Sequence, residues 1–188
     1  MDELTSLARA AGRGDRAALA GFVRETQGDV WRLCAHLVDR ASADDLAQET
    51  YLRAIPALRR FRGDAPARVW LLTIARRACA SEISARTRAR RLAARLAATP
   101  DGTLSEPPAE PGAQATADAL LAALAPDRRA AFALTQMLGC SYAEAAAICG
   151  CPVGTIRSRV ARAREDLDDM TADPDAAPRR PPACGTGG

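Results

Sequence analysis

Residues 140–165 read CSYAEAAAICGCPVGTIRSRVARARE, and the way this stretch folds decides how the rest of the chain is read. Cys140, Cys149 and Cys151 crowd its first half, while Arg157, Arg159, Arg162 and Arg164 crowd its second. Two readings compete: a metal-binding hook, or a pair of helices that presents arginines to nucleic acid. Ser141, with Glu144 three residues on, makes an S-x-x-E capping box at a helix start. Gly150 follows the apolar run, where a helix end favours a residue that tolerates left-handed backbone. Pro152 suits the first turn of a second helix, because its missing N–H would have no partner there. The punctuation predicts helix, glycine turn, helix, with Ala145 and Ala146 small enough for a close crossing.

The second helix is tested by angle, at about 100° per residue. Ile156, Val160, Ala163 and Leu167 fall together and should face the protein. Opposite them lie Thr155, Ser158, Ala161 and Arg162, with Arg157, Arg159 and Arg164 on the shoulders. A short polar strip flanked by arginines is what docking in a major groove needs. The metal reading does poorly. Structural zinc sites favour C-x₂₋₄-C pairs with further Cys or His. Cys149 and Cys151 are C-x-C across a helix end, and the single histidine, His36, lies far away in sequence. Cys34, Cys79 and Cys140 read as small buried residues. No metal and no cofactor is expected.

Composition points the same way. The chain has 188 residues, 48% of them hydrophobic but only 4% aromatic, and much of the apolar content is alanine. Alanine favours helix and buries little area, so the fold class is all-α, with two small helical domains and thin cores. The net charge is only +3, but every one of the 26 basic residues is arginine. Arginines are dense from Arg59 to Arg95, opposed only by Asp64 and Glu82. The stretch 96–117 has none and carries Asp101, Glu106 and Glu110. That alternation suggests a nucleic-acid surface and a solvated, flexible linker. No signal peptide and no membrane span is expected, which predicts a cytoplasmic protein with reduced thiols.

The first domain is expected over 1–95. Leu19, Phe22, Val23, Val30, Trp31, Cys34, Leu37 and Val38 recur at helical spacing. A second helix should open at Ser42, where SADD approximates a capping box, with Leu46, Ile55 and Leu58 on its apolar side and Pro56 kinking or ending it. FRGDAPAR reads as a loop, followed by a helix that starts apolar at Val69 and becomes a basic ribbon. The second domain, 118–170, breaks at Pro126, and the Pro-rich tail 171–188 is expected to be disordered.

These motifs together resemble the group IV, or extracytoplasmic function (ECF), sigma factors of bacterial RNA polymerase, within them an actinobacterial SigC-like group. CSYAEAAAICGCPVGTIRSRVARARE resembles their −35-reading region, ADDLAQETYLRA their polymerase-gripping segment, and ARVWLLTIARRACASEI their −10-reading helix. The resemblance covers about residues 15–170. It implies that Asp44, Asp45, Gln48, Glu49 and Tyr51 face the β′ coiled coil of core RNA polymerase, with the β flap as a further contact. It implies that the loop from Arg62 through Asp64 to Ala67 captures a flipped −10 base, beside Trp70, which reads as a core anchor ahead of a base-stacking wedge. Arg76, Arg77, Arg86, Arg88 and Arg90 would hold phosphates or the non-template strand. Arg77 and Ser81 depart from the Asn and Asp common in the family, so no −10 consensus carries over. At −35, Thr155, Arg157, Ser158, Arg159, Ala161, Arg162 and Arg164 are the expected DNA contacts.

The implied function is an alternative sigma factor that directs polymerase to promoters, without catalysis of its own. An inhibitory anti-sigma protein is a partner open to such a chain. The rival is a stand-alone helix-turn-helix regulator, which would leave the acidic DDLAQE face without a purpose.

Overall fold

The computed structural model describes residues 2–97 and 113–172, with side chains for 2–96 and 117–172. Most of the expected linker and nearly all of the expected tail lie outside those residues. The described residues form eight α-helices and no strand: α1 (Glu3–Gly12), α2 (Arg16–Leu37), α3 (Ala43–Ala57), α4 (Ala67–Ala97), α5 (Ala113–Ala123), α6 (Pro126–Phe132), α7 (Tyr142–Cys149) and α8 (Val153–Ala172). A 3₁₀ turn, Leu58–Arg60, follows α3, and a π-helical turn, Ala133–Met137, follows α6.

Helices α1 to α4 make the first lobe. Phe22, Val30 and Leu33 of α2 meet Leu71, Leu72 and Ala75 of α4, all essentially inaccessible to solvent. Burying side chains of this size is the main stabilising term such a small lobe has. Helix α1 was not anticipated as an element, and it does structural work. Its N-cap Asp2 accepts the Thr5 N–H at 2.7 Å. The buried Thr5 hydroxyl then accepts the Ala67 N–H at 2.9 Å, so α1 caps the start of α4.

Helix α3 departs from expectation in two places. Ser42 has helical backbone and makes no side-chain cap bond, so the SADD capping box does not form. Ile55 is 39% exposed, while Leu46 and Leu58 are buried. At about 100° per residue Ile55 sits half a turn from Leu46, and Thr50 takes the inward place, its hydroxyl donating to the Leu46 carbonyl at 2.7 Å. Pro56 stands inside α3, two residues before the 3₁₀ turn begins at Leu58, so the helix carries on one residue past it before it tightens.

The second lobe, α5 to α8, is held by alanines, Leu134, Ile148, Ile156 and Val160, with Leu121, Leu124, Ala163 and Met170 at its far end. Arg128 Nη1 donates to both carboxylate oxygens of Asp166, at 2.8 and 2.6 Å, and ties α6 to α8. The two lobes pack on each other through α4 and α7, and one apolar cluster runs continuously across both.

Candidate nucleic-acid interface

The turn between α7 and α8 forms as its punctuation predicts. Ser141 and Glu144 complete the capping box, with the Ser141 N–H donating to the Glu144 carboxylate at 2.8 Å. Those bonds hold the Glu144 carboxyl below its ordinary range. Gly150 is left-handed, φ 65°, which lets α8 turn away at once. On α8, Ile156, Val160 and Ala163 are buried and Leu167 is half-buried, while Arg157, Ser158, Ala161, Arg162 and Arg164 are exposed. Thr155 is half-buried at the edge of that strip. Two arginines already have protein partners: Arg159 pairs with Asp127 at 2.5 Å, and Arg164 donates to Gln136 at 2.8 Å. Arg157 and Arg162 therefore present their guanidiniums outward with the least competition from the protein.

On α4, Trp70, Arg77, Ser81 and Arg88 fall within about 40° of one another and form a single line down the helix. Arg77, Ser81 and Arg88 are exposed. At the head of the line, Trp70 is half-buried against the core, with its ring centroid 5.0 Å from that of Phe61. The same ring borders a shallow cavity of about 290 Å³ formed with Arg62, Gly63 and Asp64. Core anchor and cavity wall are thus two faces of one side chain. Arg76 and Arg86 lie elsewhere: Arg76 points into the contact between the lobes, and Arg86 is on the opposite side of α4.

The acidic and amide residues of α3 form a separate face. Asp44, Asp45 and Gln48 are exposed, and Glu49 is half-exposed and paired with Arg53 at 2.5 Å. Tyr51 is half-buried, its hydroxyl 2.7 Å from that of Thr26, where burial pushes its ionisation up. Between α2 and α3 a groove of about 530 Å³ joins Asp44, Gln48 and Tyr51 to Gln27 and Trp31. Trp31, which spacing alone assigns to the core, donates its indole N–H to Asp44 at 2.9 Å and carries Arg40 over its ring at 5.5 Å. A tryptophan at the edge of an apolar run, with carboxylates a dozen residues on, is the one signal that could have flagged it.

Three arginines cross between the lobes to a main-chain carbonyl near a helix end, where the dipole favours a cation, and a fourth, Arg40, pairs with Asp118 of α5 at 4.0 Å. Arg68 donates to Leu138 at 2.7 Å, Arg76 to Ile148 at 2.9 Å and Arg129 to Leu37 at 3.0 Å. Nothing local in the sequence marks this seam. Cys140 sits in it, 5% exposed, its sulfur 3.4 Å from Arg68. Cys34 and Cys79 are fully buried in the first lobe.

Comparison with known proteins places this geometry. The family model described as Sigma-70 region 2 matches residues 22–95, and that described as Sigma-70, region 4 matches residues 115–167. The chain is 49% identical over 176 residues to the ECF RNA polymerase sigma factor SigC of Mycobacterium tuberculosis, covering 90% of this chain and 95% of that protein. Its fold is similar to CnrH, solved in complex with the cytosolic domain of CnrY, with a TM-score of 0.68, 27% identity, and coverage of 93% of this chain and 100% of that one. It is also similar to the sigma factor RpoE of Bartonella quintana, solved with the anti-sigma factor NepR, with a TM-score of 0.64, 29% identity, and coverage of 82% and 97%. With both regions matched in order and nearly the whole of a 49%-identical relative covered, the chain belongs to the sigma-70 family of RNA polymerase sigma factors, in its extracytoplasmic function group.

Proposed function

We propose that this protein is an alternative, non-catalytic specificity subunit that binds core RNA polymerase and directs it to promoters by reading −10 and −35 elements. The observation that carries the reading is the presence, in one chain, of two exposed surfaces of opposite character. The acidic and amide face of α3 suits a protein partner, and the arginine-flanked strip of α8 suits duplex DNA. A stand-alone regulator would need only the second.

In this account Asp44, Asp45, Gln48, Glu49 and Tyr51, with Trp31 beside them, meet the β′ coiled coil. Residues 1–95 serve core and −10 binding, and 118–170 serve −35 binding with a contact to the β flap. Arg62, Asp64 and Trp70 frame the space for a flipped −10 base, and Arg77, Ser81 and Arg88 follow the strand down α4. Thr155, Ser158, Ala161 and Arg162 face base edges, while Arg157, Arg159 and Arg164 face phosphates. Among the described residues no helix is long and apolar enough to cross a membrane. The work itself, on polymerase and promoter, is cytoplasmic. An anti-sigma protein is a further partner open to it, since both solved neighbours named above are complexes and one of them holds an anti-sigma factor.

The packed lobes must part for this to happen. By their labels the two promoter elements are roughly 25 base pairs apart, on the order of 80 Å of duplex at 3.4 Å per base pair. Arg76 of α4 and Ile148 of α7, at 2.9 Å, are in contact. A panel of −35 single-base variants tests the DNA half. Arg162→Ala should lose about 1–3 kcal/mol and relax discrimination at one position. Equal loss on every variant would remove Arg162 from base reading.

A further inference from the structure

We infer that Arg86 is a positioning residue for the polymerase-facing helix α3 and not a DNA contact. This rests on the reading of the α3 face as the polymerase surface. Arg86 lies about 140–180° around α4 from Trp70, Arg77, Ser81 and Arg88, on the far side of the helix from that strip. Its guanidinium makes three bonds on the other side, one from each nitrogen, with 37% of the side chain still exposed. Nε donates to Glu82 one turn back at 2.6 Å, Nη1 to the Asp39 carboxylate, and Nη2 to the Ser42 hydroxyl.

Asp39 and Ser42 are the corner from which α3 springs. α2 ends at Leu37, and the Asp39 carboxylate also accepts the Ser42 N–H at 2.8 Å. Ser42 occupies the N-cap position yet does not cap the helix, because its hydroxyl is turned to Arg86. The start of α3 is therefore held from α4 and not by its own cap. Burial works against the Asp39 charge, but the bonds from Arg86 and Ser42 outweigh it and keep the carboxyl ionised below its ordinary range. Two residues past Ser42, Asp44 and Asp45 begin the exposed acidic face. One guanidinium thus sets the direction of the polymerase face against the helix that reads the −10 strand. Arginine serves the three acceptors from three separate nitrogens in a plane, whereas a lysine ammonium offers its three N–H groups from a single point and would hold fewer of them.

The test is a coupling measurement on the full-length protein, titrated with core RNA polymerase from a related bacterium and followed by fluorescence anisotropy. Arg86→Ala should weaken core binding about tenfold or more, and Arg86→Lys should recover little of it. In an Asp44→Asn, Asp45→Asn background the same Arg86→Ala change should cost less than twofold, because the face it orients is already disabled. An undiminished loss in that background means a general destabilisation and overturns the proposal. Unchanged core affinity with weakened single-stranded −10 binding by the holoenzyme means a phosphate contact, and overturns it too. Should Arg86→Ala fail to fold, Asp39→Asn, which discharges the partner but keeps a carbonyl for the Ser42 N–H, must show the same coupled loss. Wild-type protein that does not bind core polymerase overturns the α3 reading first, and this proposal with it.

Discussion

Replacing Arg68 by alanine should loosen the contact between the lobes by an amount the structure allows to be worked out. Arg68 belongs to the first lobe, where Asp29 grips its Nε at 2.6 Å, and the side chain keeps 28% of its exposure. Burial works against its charge, but Asp29 outweighs it and holds the guanidinium ionised and aimed. Across the seam it makes one strong bond, to the Leu138 carbonyl at 2.7 Å, and one weak one, to the Cys140 sulfur. A bond from a charged donor contributes about 1.5–3 kcal/mol, and a thiol acceptor adds little. The expected loss is about 2 kcal/mol, or roughly thirtyfold in the opening equilibrium, at 1.4 kcal/mol per factor of ten. Cys140 reports it, because its thiol is 5% exposed when the lobes are together. In a background with Cys149, Cys151 and Cys184 changed to serine, Cys140 should react with a thiol reagent roughly thirtyfold faster in Arg68→Ala than in wild type. The rate should depend only weakly on urea, since parting the lobes exposes far less surface than unfolding them. A change of less than threefold, or one with the urea dependence of global unfolding, would refute the reasoning.

Three further outcomes follow from other parts of the molecule. Gly12→Ala places a methyl 2.4 Å from the Leu58 carbonyl oxygen, which is backbone and cannot swing aside. It should destabilise by about 1–3 kcal/mol in chemical denaturation, and a neutral result would mean that α1 does not pack there. Ser141→Ala removes half of the capping box and should lower stability by about 1 kcal/mol, with −35 binding weakened in parallel. His36 is held neutral by burial, outweighing Asp118, with Arg40 and Arg32 acting in the same sense as burial. A base whose folded pKa is depressed stabilises above its unfolded value. As pH falls through about 6.5 the unfolded chain takes up the proton first, so stability should drop. The melting temperature should be lower at pH 5.5 than at pH 7.5, and His36→Gln should reduce that difference; equal slopes in the two proteins would count against it.

What could be read from the sequence was whatever is decided locally. Gly150, Pro152 and the Ser141–Glu144 pair act within a few residues, and the inward stripe of α8 is a matter of angle, so that turn folds as its residues dictate. Ser42 shows the opposite case. SADD has the composition of a cap, but an arginine 44 residues away competes for its hydroxyl and wins. Arg159 was placed on the outer shoulder of α8 by angle, and its partner Asp127 is 32 residues away. Helix α1 was not anticipated although Leu4, Leu7, Ala8 and Ala11 recur at helical spacing against the core and Asp2 caps its start, so this element was legible in the sequence. The seam between the lobes is the extreme case: its shortest bonds run from arginine side chains to main-chain carbonyls, and a carbonyl has no signature in a sequence.

Promoter selection by this protein is tested most directly by run-off transcription from a genomic promoter library. Core RNA polymerase from a related bacterium would be used with and without this protein, and the transcript starts sequenced. A promoter-specificity subunit should give defined start sites only when it is present, each preceded by a shared −35 and −10 pair. DNA binding by the protein with no start sites gained would contradict that role, and would mean that the Asp44–Glu49 face does not hold polymerase.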